Sequence, residues 1–178
     1  MVVLRSVSVR AIAVVACLFP LLAQADFTGR VVKVADGDSV TVLRQINGQS
    51  EQVRVRLSSI DAPEKEQPYG TRSRQLLSDL VFDRQVRVEE LGRDRHGRTI
   101  GVIHIGDLNA NREMVRQGMA WAYRQYLNDS ALLRIESAAR LAQRGLWAGA
   151  NPVAPWEFRR QEAAERKARK EAAAAAVN

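Results

Sequence analysis

Five short runs rich in β-branched residues, each bounded by turn residues, are the feature that most constrains the fold of this chain. The first two, FTGRVVKVA and SVTVLRQ, are joined by Asp-Gly-Asp, which is typical of a β-hairpin. In the third run, QVRVRLSSI, the residues Val53, Val55 and Leu57 alternate with polar residues, which predicts a half-buried strand. The last two runs, RQVRVEEL and RTIGVIHIG, lie on either side of the basic turn GRDRHG and predict a second strand pair.

Three segments with helical periodicity complete the pattern. TRSRQLLSDLV lies between the third and fourth strands and places its leucines and valine on one face. NANREMVRQG, capped by Asn109 or Asn111 and closed at Gly118, and SALLRIESAARLAQRG, which ends at Gly145, follow the fifth strand. This order predicts an α+β fold, namely a five-stranded antiparallel OB-fold β-barrel with three α-helices. A barrel of this kind does not determine the chemistry of its site.

The N-terminus has the pattern of a secretory signal peptide. Arg5 and Arg10 precede an apolar run, and the small-residue sequence AQA ends at Ala25. A lipid-attachment site at Cys17 is an alternative, but it would leave the apolar LFPLLAQA at the start of the mature chain. The apolar run is too short for a stable membrane span and contains a proline. We therefore expect cleavage after Ala25 and a secreted or periplasmic protein.

The mature chain would comprise residues 26–178, which is long enough for one domain with a hydrophobic core. We place an OB-fold domain at residues 26–150 and a charged, alanine-rich tail at residues 151–178. The tail has helix-forming residues but no apolar stripe, so it is interpreted as a frayed, solvated helix rather than a binding arm. Removing the two arginines of the signal peptide leaves 25 basic against 20 acidic residues, a charge of +5. This charge favours polyanionic partners such as nucleic acid, and the chain is expected to be a monomer.

Two carboxylates, Asp61 and Glu64, follow the third strand in the sequence IDAPE. One interpretation is a capping box, in which Asp61 caps a helix and Glu64 reaches back to it. Pro68 and Gly70 would interrupt that helix within a turn or two, so the cap would serve almost no helix. The alternative partner is a hard cation such as calcium, which takes roughly six to eight oxygen ligands in irregular geometry.

A third carboxylate lies in the first hairpin. Asp36 and Gly37 are explained by the turn alone, but the turn does not require another acid at Asp38. If this hairpin packs beside the end of the third strand, Asp38 and Asp61 could share one cation. The sequence by itself does not establish that proximity.

Two arginines extend this set of candidate residues. Arg56 lies on the polar face of the third strand and Arg98 lies in the basic turn, where a solvated strand face and an exposed turn are the simpler interpretations. The guanidinium group matches phosphate oxygens and stabilises developing charge, and a carboxylate not bound to the metal can orient or deprotonate water. The combination favours phosphodiester hydrolysis. The sequence contains no Gly-x-Ser-x-Gly elbow, no phosphate loop and no zinc-binding histidine pattern.

The motifs VVKVADGDSVTV, VRVRLSSIDAPE, DRHGR and VRQGMAWAY, in this order and spacing, resemble the staphylococcal nuclease family over about residues 27–148. The resemblance implies a calcium-dependent OB-fold nuclease acting on DNA and RNA, with a preference for single-stranded or unpaired regions. It further implies hydrolysis that breaks the bond to the 5′-oxygen and leaves 3′-phosphate ends. The alternative is a catalytically silent OB-fold nucleic-acid-binding module, which needs only the barrel, basic residues and aromatic residues.

The resemblance also implies roles for individual residues. Asp38 and Asp61 would ligate Ca2+ directly, together with the backbone carbonyl of Ala62. Glu64 would act through water as general base or orienting group. Arg56 and Arg98 would bind the scissile phosphate and stabilise the transition state.

The chain departs from the family pattern around the expected nucleotide site. The segment between Glu64 and Tyr69 is shorter than the lysine-rich loop of the archetypal enzyme. His96 stands where that enzyme has a tyrosine near the nucleotide phosphate. Tyr123 and Tyr126 fall near the family's nucleotide-contacting tyrosines with a spacing that differs by about one residue. These three residues are candidates for substrate binding, with base stacking by one of the tyrosines.

Overall fold

The computed structural model describes residues 26–175, so the predicted signal peptide and residues 176–178 lie outside the described part of the chain. The strands form where the β-branched runs occur in the sequence, and Asp-Gly and Asn-Gly sequences separate the first three of them. The eight strands are β1 (Phe27–Asp36), β2 (Ser39–Ile46), β3 (Gln49–Leu57), β4 (Ile60–Asp61), β5 (Gln85–Arg93), β6 (Thr99–Ile105), β7 (Leu108–Asn109) and β8 (Trp121–Ala122).

Five of these strands close into a barrel in the order β3-β2-β1-β5-β6, and β6 pairs with β3. The four joints between neighbours in this order are antiparallel, whereas β3 and β6 are parallel, with Val55 opposite Thr99. The predicted OB-fold barrel is confirmed, but the prediction that it is antiparallel throughout was wrong at this joint. With an odd number of strands, four antiparallel joints leave the first and last strands pointing the same way, so the closing pair must be parallel.

The described residues contain four α-helices instead of the three predicted: α1 (Gly70–Val81), α2 (Ala110–Arg116), α3 (Ala131–Leu141) and α4 (Pro155–Ala175). The side chain of Asn109 caps α2 by accepting a hydrogen bond from the Arg112 backbone amide. Helix α4 covers most of the predicted tail, because that segment consists largely of strong helix formers. Within residues 26–175, no helix combines the length and the apolar character needed to cross a bilayer.

The barrel interior is filled by the apolar residues of the alternating strands. Val31, Val42, Val55, Val88 and Ile103 have no exposed surface. Each such side chain contributes about 1.5–3 kcal/mol through removal from water, so this core holds the strand ends that carry the polar residues.

A second, smaller apolar cluster lies beside the barrel. It contains the buried residues Trp121, Trp147 and Ala154, and Trp156 packs against it. Because Ala154 and Trp156 come from the start of α4 and the segment before it, this cluster holds the beginning of the C-terminal helix against the barrel. The predicted domain boundary at residue 150 remains a prediction.

Candidate active site

The first hairpin brings Asp38 beside the end of β3. The backbone amide of Leu57 donates a hydrogen bond to the Asp38 carbonyl at 2.8 Å, and the amide of Ala62 donates to Asp38 Oδ2 at 3.1 Å. Gly37 permits this close approach, because a Cβ at that position would lie 1.9 Å from Ser73 Oγ on α1. The first hairpin therefore packs beside the end of the third strand, which is the condition under which Asp38 and Asp61 lie near each other.

Arg56 joins these two carboxylates. Its Nη1 donates to Asp38 Oδ1 and its Nη2 donates to Asp61 Oδ1, each at 2.8 Å. Asp61 is fully buried in β4, where it pairs with Trp121 of β8, and Asp38 is 3 % exposed. Arg56 itself is only 20 % exposed, so the simpler interpretation of this arginine as part of a solvated strand face does not describe it.

The charges of this cluster perturb one another. Burial raises the pKa of Asp38 to about 6, against the lowering effect of the Arg56 guanidinium, and the neighbouring Asp36 raises it further. Burial acts to lower the pKa of Arg56, but the charges of Asp38 and Asp61 outweigh that effect and the pKa is raised. One guanidinium is thus shared between two buried carboxylates, which leaves negative charge for another cation to balance.

Glu64 lies on an irregular loop between β4 and α1. The backbone carbonyl of Glu64 accepts a hydrogen bond from the Gln67 amide at 3.0 Å, and the Glu64 amide donates to Gln67 Oε1 at 3.2 Å. Gly70 at the start of α1 lets this loop approach, since a Cβ there would lie 1.8 Å from the Glu64 carbonyl oxygen. The capping-box interpretation fails, because α1 begins at Gly70 and no side chain caps it.

Arg98 reaches the same end of the barrel from the turn between β5 and β6. Asp94 organises this turn by accepting hydrogen bonds from the backbone amides of His96 and Arg98 and from Arg98 Nε at 2.7 Å. Arg98 Nη1 lies 3.5 Å from Ser39 Oγ, at the outer limit of a hydrogen bond, and Ser39 Oγ donates to Asp38 Oδ1 at 2.8 Å. Ser39 therefore links Arg98 to the carboxylate cluster.

The fixed geometry of this turn has an electrostatic consequence for Asp94. Burial acts to raise its pKa, but the hydrogen bonds from Arg98 and His96 outweigh that effect and hold the pKa at about 2. Asp94 is therefore a carboxylate near neutral pH and pairs with Arg98 as an ion. The sequence gives a partial signal for this role in the Asp-x-x-Gly-Arg spacing of the turn.

Sequence analysis assigned no role to Arg159, which the structure brings into contact with the acids. Its Nη2 donates to Asp61 Oδ2 at 2.7 Å, and its Nη1 donates to Glu64 Oε1 at 2.7 Å and to Asp61 Oδ1 at 3.2 Å. Burial acts to lower the pKa of Arg159, but these hydrogen bonds and charges outweigh it and the pKa is raised. The only signal in the sequence is the pair of aromatic residues in PWEFR at the start of an otherwise charged segment.

The side chains of the three tentative substrate-binding residues lie outside this network of hydrogen bonds, although the backbone amide of His96 donates to Asp94. His96 is exposed, and its ring accepts a hydrogen bond from Arg95 Nε at 3.1 Å. Tyr126 is 59 % exposed and packs edge-on against Tyr123, with ring centroids 5.1 Å apart. Tyr123 also stacks on Trp156 of α4, with ring centroids 5.3 Å apart and an interplanar angle of 13°.

The donor set can be tested against the chemistry of a hard cation. In residues 26–175, no group of three or more histidine, cysteine, aspartate or glutamate side chains is arranged as a metal site. Asp38 and Asp61 nevertheless present oxygen donors to one guanidinium, so two buried carboxylates already face one cation. Hard oxygen donors are the ligands that calcium prefers, and water and substrate oxygens complete its coordination where the protein supplies few. The donors are therefore of the type that such an ion binds, and in this structure the guanidinium groups of Arg56 and Arg159 lie against them.

A small OB-fold barrel that carries buried carboxylates, a further glutamate and several arginines at one end belongs to the class of proteins equipped for phosphodiester chemistry. The sequence profile of the staphylococcal nuclease homologue family matches residues 54–149. The chain belongs to this family.

Three relatives support the same assignment. A Haemophilus influenzae protein named an uncharacterized endonuclease is 47% identical over 135 residues, covering 76% of this chain and 74% of the relative. An Escherichia coli protein of the same name is 44% identical over 78% of this chain and 88% of the relative. A Shigella flexneri protein named micrococcal nuclease is 43% identical over 83% of this chain and 89% of the relative. Together, the family and these relatives support a nuclease function.

Proposed function

We propose that the mature chain, residues 26–178, is an exported, calcium-dependent nuclease that hydrolyses phosphodiester bonds of DNA and RNA. In this proposal, water attacks phosphorus, the bond to the 5′-oxygen breaks, and the products carry 3′-phosphate ends. Export is inferred from the signal-peptide pattern that ends at Ala25. The observation that carries the proposal is the junction of Asp38, Arg56 and Asp61, with Glu64 and Arg98 linked to it.

The acids of the site have different surroundings, which supports a different task for each. Asp38 and Asp61 are buried and turned toward cationic groups, so we assign them, with the carbonyl of Ala62, to the divalent ion. Bound there, calcium would supply positive charge opposite the developing negative charge of the phosphate. Glu64 is 36 % exposed, so it can reach water and accept the proton of the attacking water.

The arginines are assigned to the phosphate. Arg56 and Arg98 are both partly exposed, at 20 % and 27 %, and each has its orientation fixed by a carboxylate. Guanidinium groups held in this way donate to phosphate oxygens and stabilise the charge that develops as water attacks. Because their positions are set before substrate binds, little reorganisation is needed in the transition state.

Substrate binding is assigned to the exposed aromatic residues near the site. Tyr123 and Tyr126 form a pair of which Tyr126 is largely exposed, so one ring of the pair can stack on an unpaired base at about 1–3 kcal/mol. Stacking requires bases that are not already paired, so we propose a preference for single-stranded or unpaired regions. His96 in the exposed turn is a further candidate contact. We propose a monomer as the working form.

The first experiment uses purified residues 26–178 with heat-denatured DNA, and follows release of acid-soluble nucleotides with calcium and with a calcium chelator. Release that requires calcium supports the proposal. Release that continues in the chelator would refute the role of the ion. Binding of the same DNA without release in calcium would instead support a catalytically silent OB-fold module.

The role of Glu64 is tested by Glu64→Gln, which keeps the shape of the side chain but removes the base. Loss of a general base lowers turnover by about 10²- to 10⁴-fold, so a loss in this range is expected without loss of the fold. The matched control is Glu66→Gln, an exposed glutamate on the same loop. Wild-type turnover in Glu64→Gln would remove this residue from the mechanism.

A further inference from the structure

The start of the C-terminal helix is held in place independently of the acids. Pro155 and the preceding Ala154 are buried. Trp156 stacks on Tyr123 and packs edge-on against Trp121, with ring centroids 5.6 Å apart. Because three aromatic rings anchor this first turn, the side chain one turn further along α4 is delivered to a defined place.

That side chain is Arg159, and its guanidinium group lies between the carboxylates of Asp61 and Glu64. Its guanidinium contacts both oxygens of Asp61 and one oxygen of Glu64, but makes no ion pair with Asp38 within residues 26–175. Arg159 therefore lies on the Glu64 side of the cluster, whereas Arg56 lies between Asp61 and Asp38.

Glu64 depends on this contact for its position. Among the residues that the structure describes, Arg159 is the only hydrogen-bond or ion-pair partner of the Glu64 carboxylate. A glutamate side chain that is not held samples several rotamers, and fixing it costs conformational entropy. The guanidinium of Arg159 is itself held by two hydrogen bonds to buried Asp61, so its single hydrogen bond to Glu64 Oε1 restrains where that oxygen lies.

The same C-terminal segment also holds the backbone of the Glu64 loop. Gln67 Nε2 donates to the carbonyl of Val153 at 2.6 Å, while Gln67 Oε1 accepts from the amide of Glu64. Val153 and Arg159 thus contact the loop at two separate points, one on the side chain of Gln67, which in turn binds the Glu64 amide, and one on the Glu64 carboxylate.

We propose that Arg159 is a positioning residue for the hydrolytic reaction, which holds the Glu64 carboxylate in the direction needed to accept the proton of water. This inference rests on the proposed nuclease function. It makes the segment 153–159 a part of the active site and not an appended tail. A group in general-base catalysis must be held near its productive geometry, and a displacement of about 1 Å can lower the rate by about 100-fold.

The test is a double-mutant cycle in the mature chain on a single-stranded oligonucleotide with saturating calcium. Arg159→Ala is expected to lower kcat by about 10- to 100-fold, with a change in KM of less than about threefold. In a Glu64→Gln background, the same substitution is expected to change kcat by less than about twofold, because its target is already absent. Arg160→Ala is the matched control, since Arg160 is the exposed neighbour on the same helix.

Two further measurements do not depend on turnover. Amide hydrogen exchange at Glu64 and Gln67 is expected to accelerate in Arg159→Ala and not in Arg160→Ala, because the loop loses one of its two contacts. Calcium binding, titrated calorimetrically, is expected not to weaken in Arg159→Ala, since removing a positive charge beside Asp61 does not disfavour a cation. Arg159→Lys, which keeps the charge but loses the guanidinium group, is expected to restore only part of kcat and extends the test if Arg159→Ala fails to fold.

Independent, multiplicative effects of Arg159→Ala and Glu64→Gln would overturn the proposal, as would an unchanged or increased kcat in the single variant. An increased kcat together with tighter calcium binding would identify Arg159 as an inhibitory stand-in for the ion. If the wild-type chain itself releases no nucleotides in calcium, the proposed function fails. In that case the hydrogen-exchange result still decides whether Arg159 holds the loop.

Discussion

Gly70→Ala offers a test in which helix propensity and steric overlap predict changes in stability of opposite sign. Gly70 is the first residue of α1, it is buried, and its φ is not in the left-handed region that favours glycine. Helix propensity alone therefore predicts that Gly70→Ala stabilises the protein by up to about 1 kcal/mol. The added Cβ, however, would lie 1.8 Å from the carbonyl oxygen of Glu64 and 2.7 Å from its carbonyl carbon.

The size of the expected effect follows from this distance. Ordinary contact with a Cβ begins near 3.4 Å, so helix and loop must separate by about 1.6 Å in total, and the obstructing atoms are backbone. Overpacking of this kind costs about 1–3 kcal/mol, which outweighs the gain in propensity. Because Glu64 moves with its backbone, kcat is expected to fall by about 10- to 100-fold.

The assay pairs thermal or urea unfolding with release of acid-soluble nucleotides from heat-denatured DNA. Gly149→Ala is the control, because its Cβ would meet only Leu146 O, at 3.4 Å, and its φ of −79° suits alanine. A Gly70→Ala variant with raised stability and wild-type kcat would refute the argument that this glycine sets the position of the Glu64 loop.

Two further substitutions test contacts at the edge of the site. Asp94→Asn is expected to lower kcat by about tenfold through loss of the charged partner of Arg98. Because the folded pKa of Asp94 is about 2 against an ordinary value of 3.8, the stability difference from wild type should be constant above about pH 5 and shrink as the pH falls toward 2, which unfolding at several pH values measures. Glu136→Ala is expected to cost about 3 kcal/mol in urea unfolding, because it leaves the buried amide of Ala122 without its acceptor, whereas the exposed Glu165→Ala should change stability by less than about 0.5 kcal/mol.

Much of the barrel could be predicted because its signals are local. Alternation in β3 and the Asp-Gly turn before Asp38 depend on neighbouring residues only, and both appear in the structure as expected. The parallel pairing of β3 with β6 has no local signal, since it joins strands that are not consecutive. It follows only from counting the strands of a closed barrel.

Part of the candidate site could be predicted from the sequence for the same reason. Asp38 and Asp61 flank predicted strands and Arg56 lies on the polar face of the third, so their convergence required only that the first hairpin pack against that strand. Arg159 was missed because it belongs to a largely charged, exposed segment in which only the first few residues pack against the barrel. Its contact with Asp61 spans 98 positions of the chain, and nothing in the local pattern of either residue specifies the other.

The parallel pairing of β3 with β6 also bears on the order in which the residues of the candidate site come together during folding. The meander β1–β3 pairs near neighbours, whereas the joint of β3 with β6 must close a long loop and is expected to form late. Arg98 immediately precedes β6 and so reaches Ser39 only once that joint has formed. A chain folded as far as β3 can thus assemble Asp38 and Arg56 without Arg98, the second arginine that we assign to the phosphate. Recovery of activity during refolding should then follow completion of the barrel and lag behind the signal of the first hairpins.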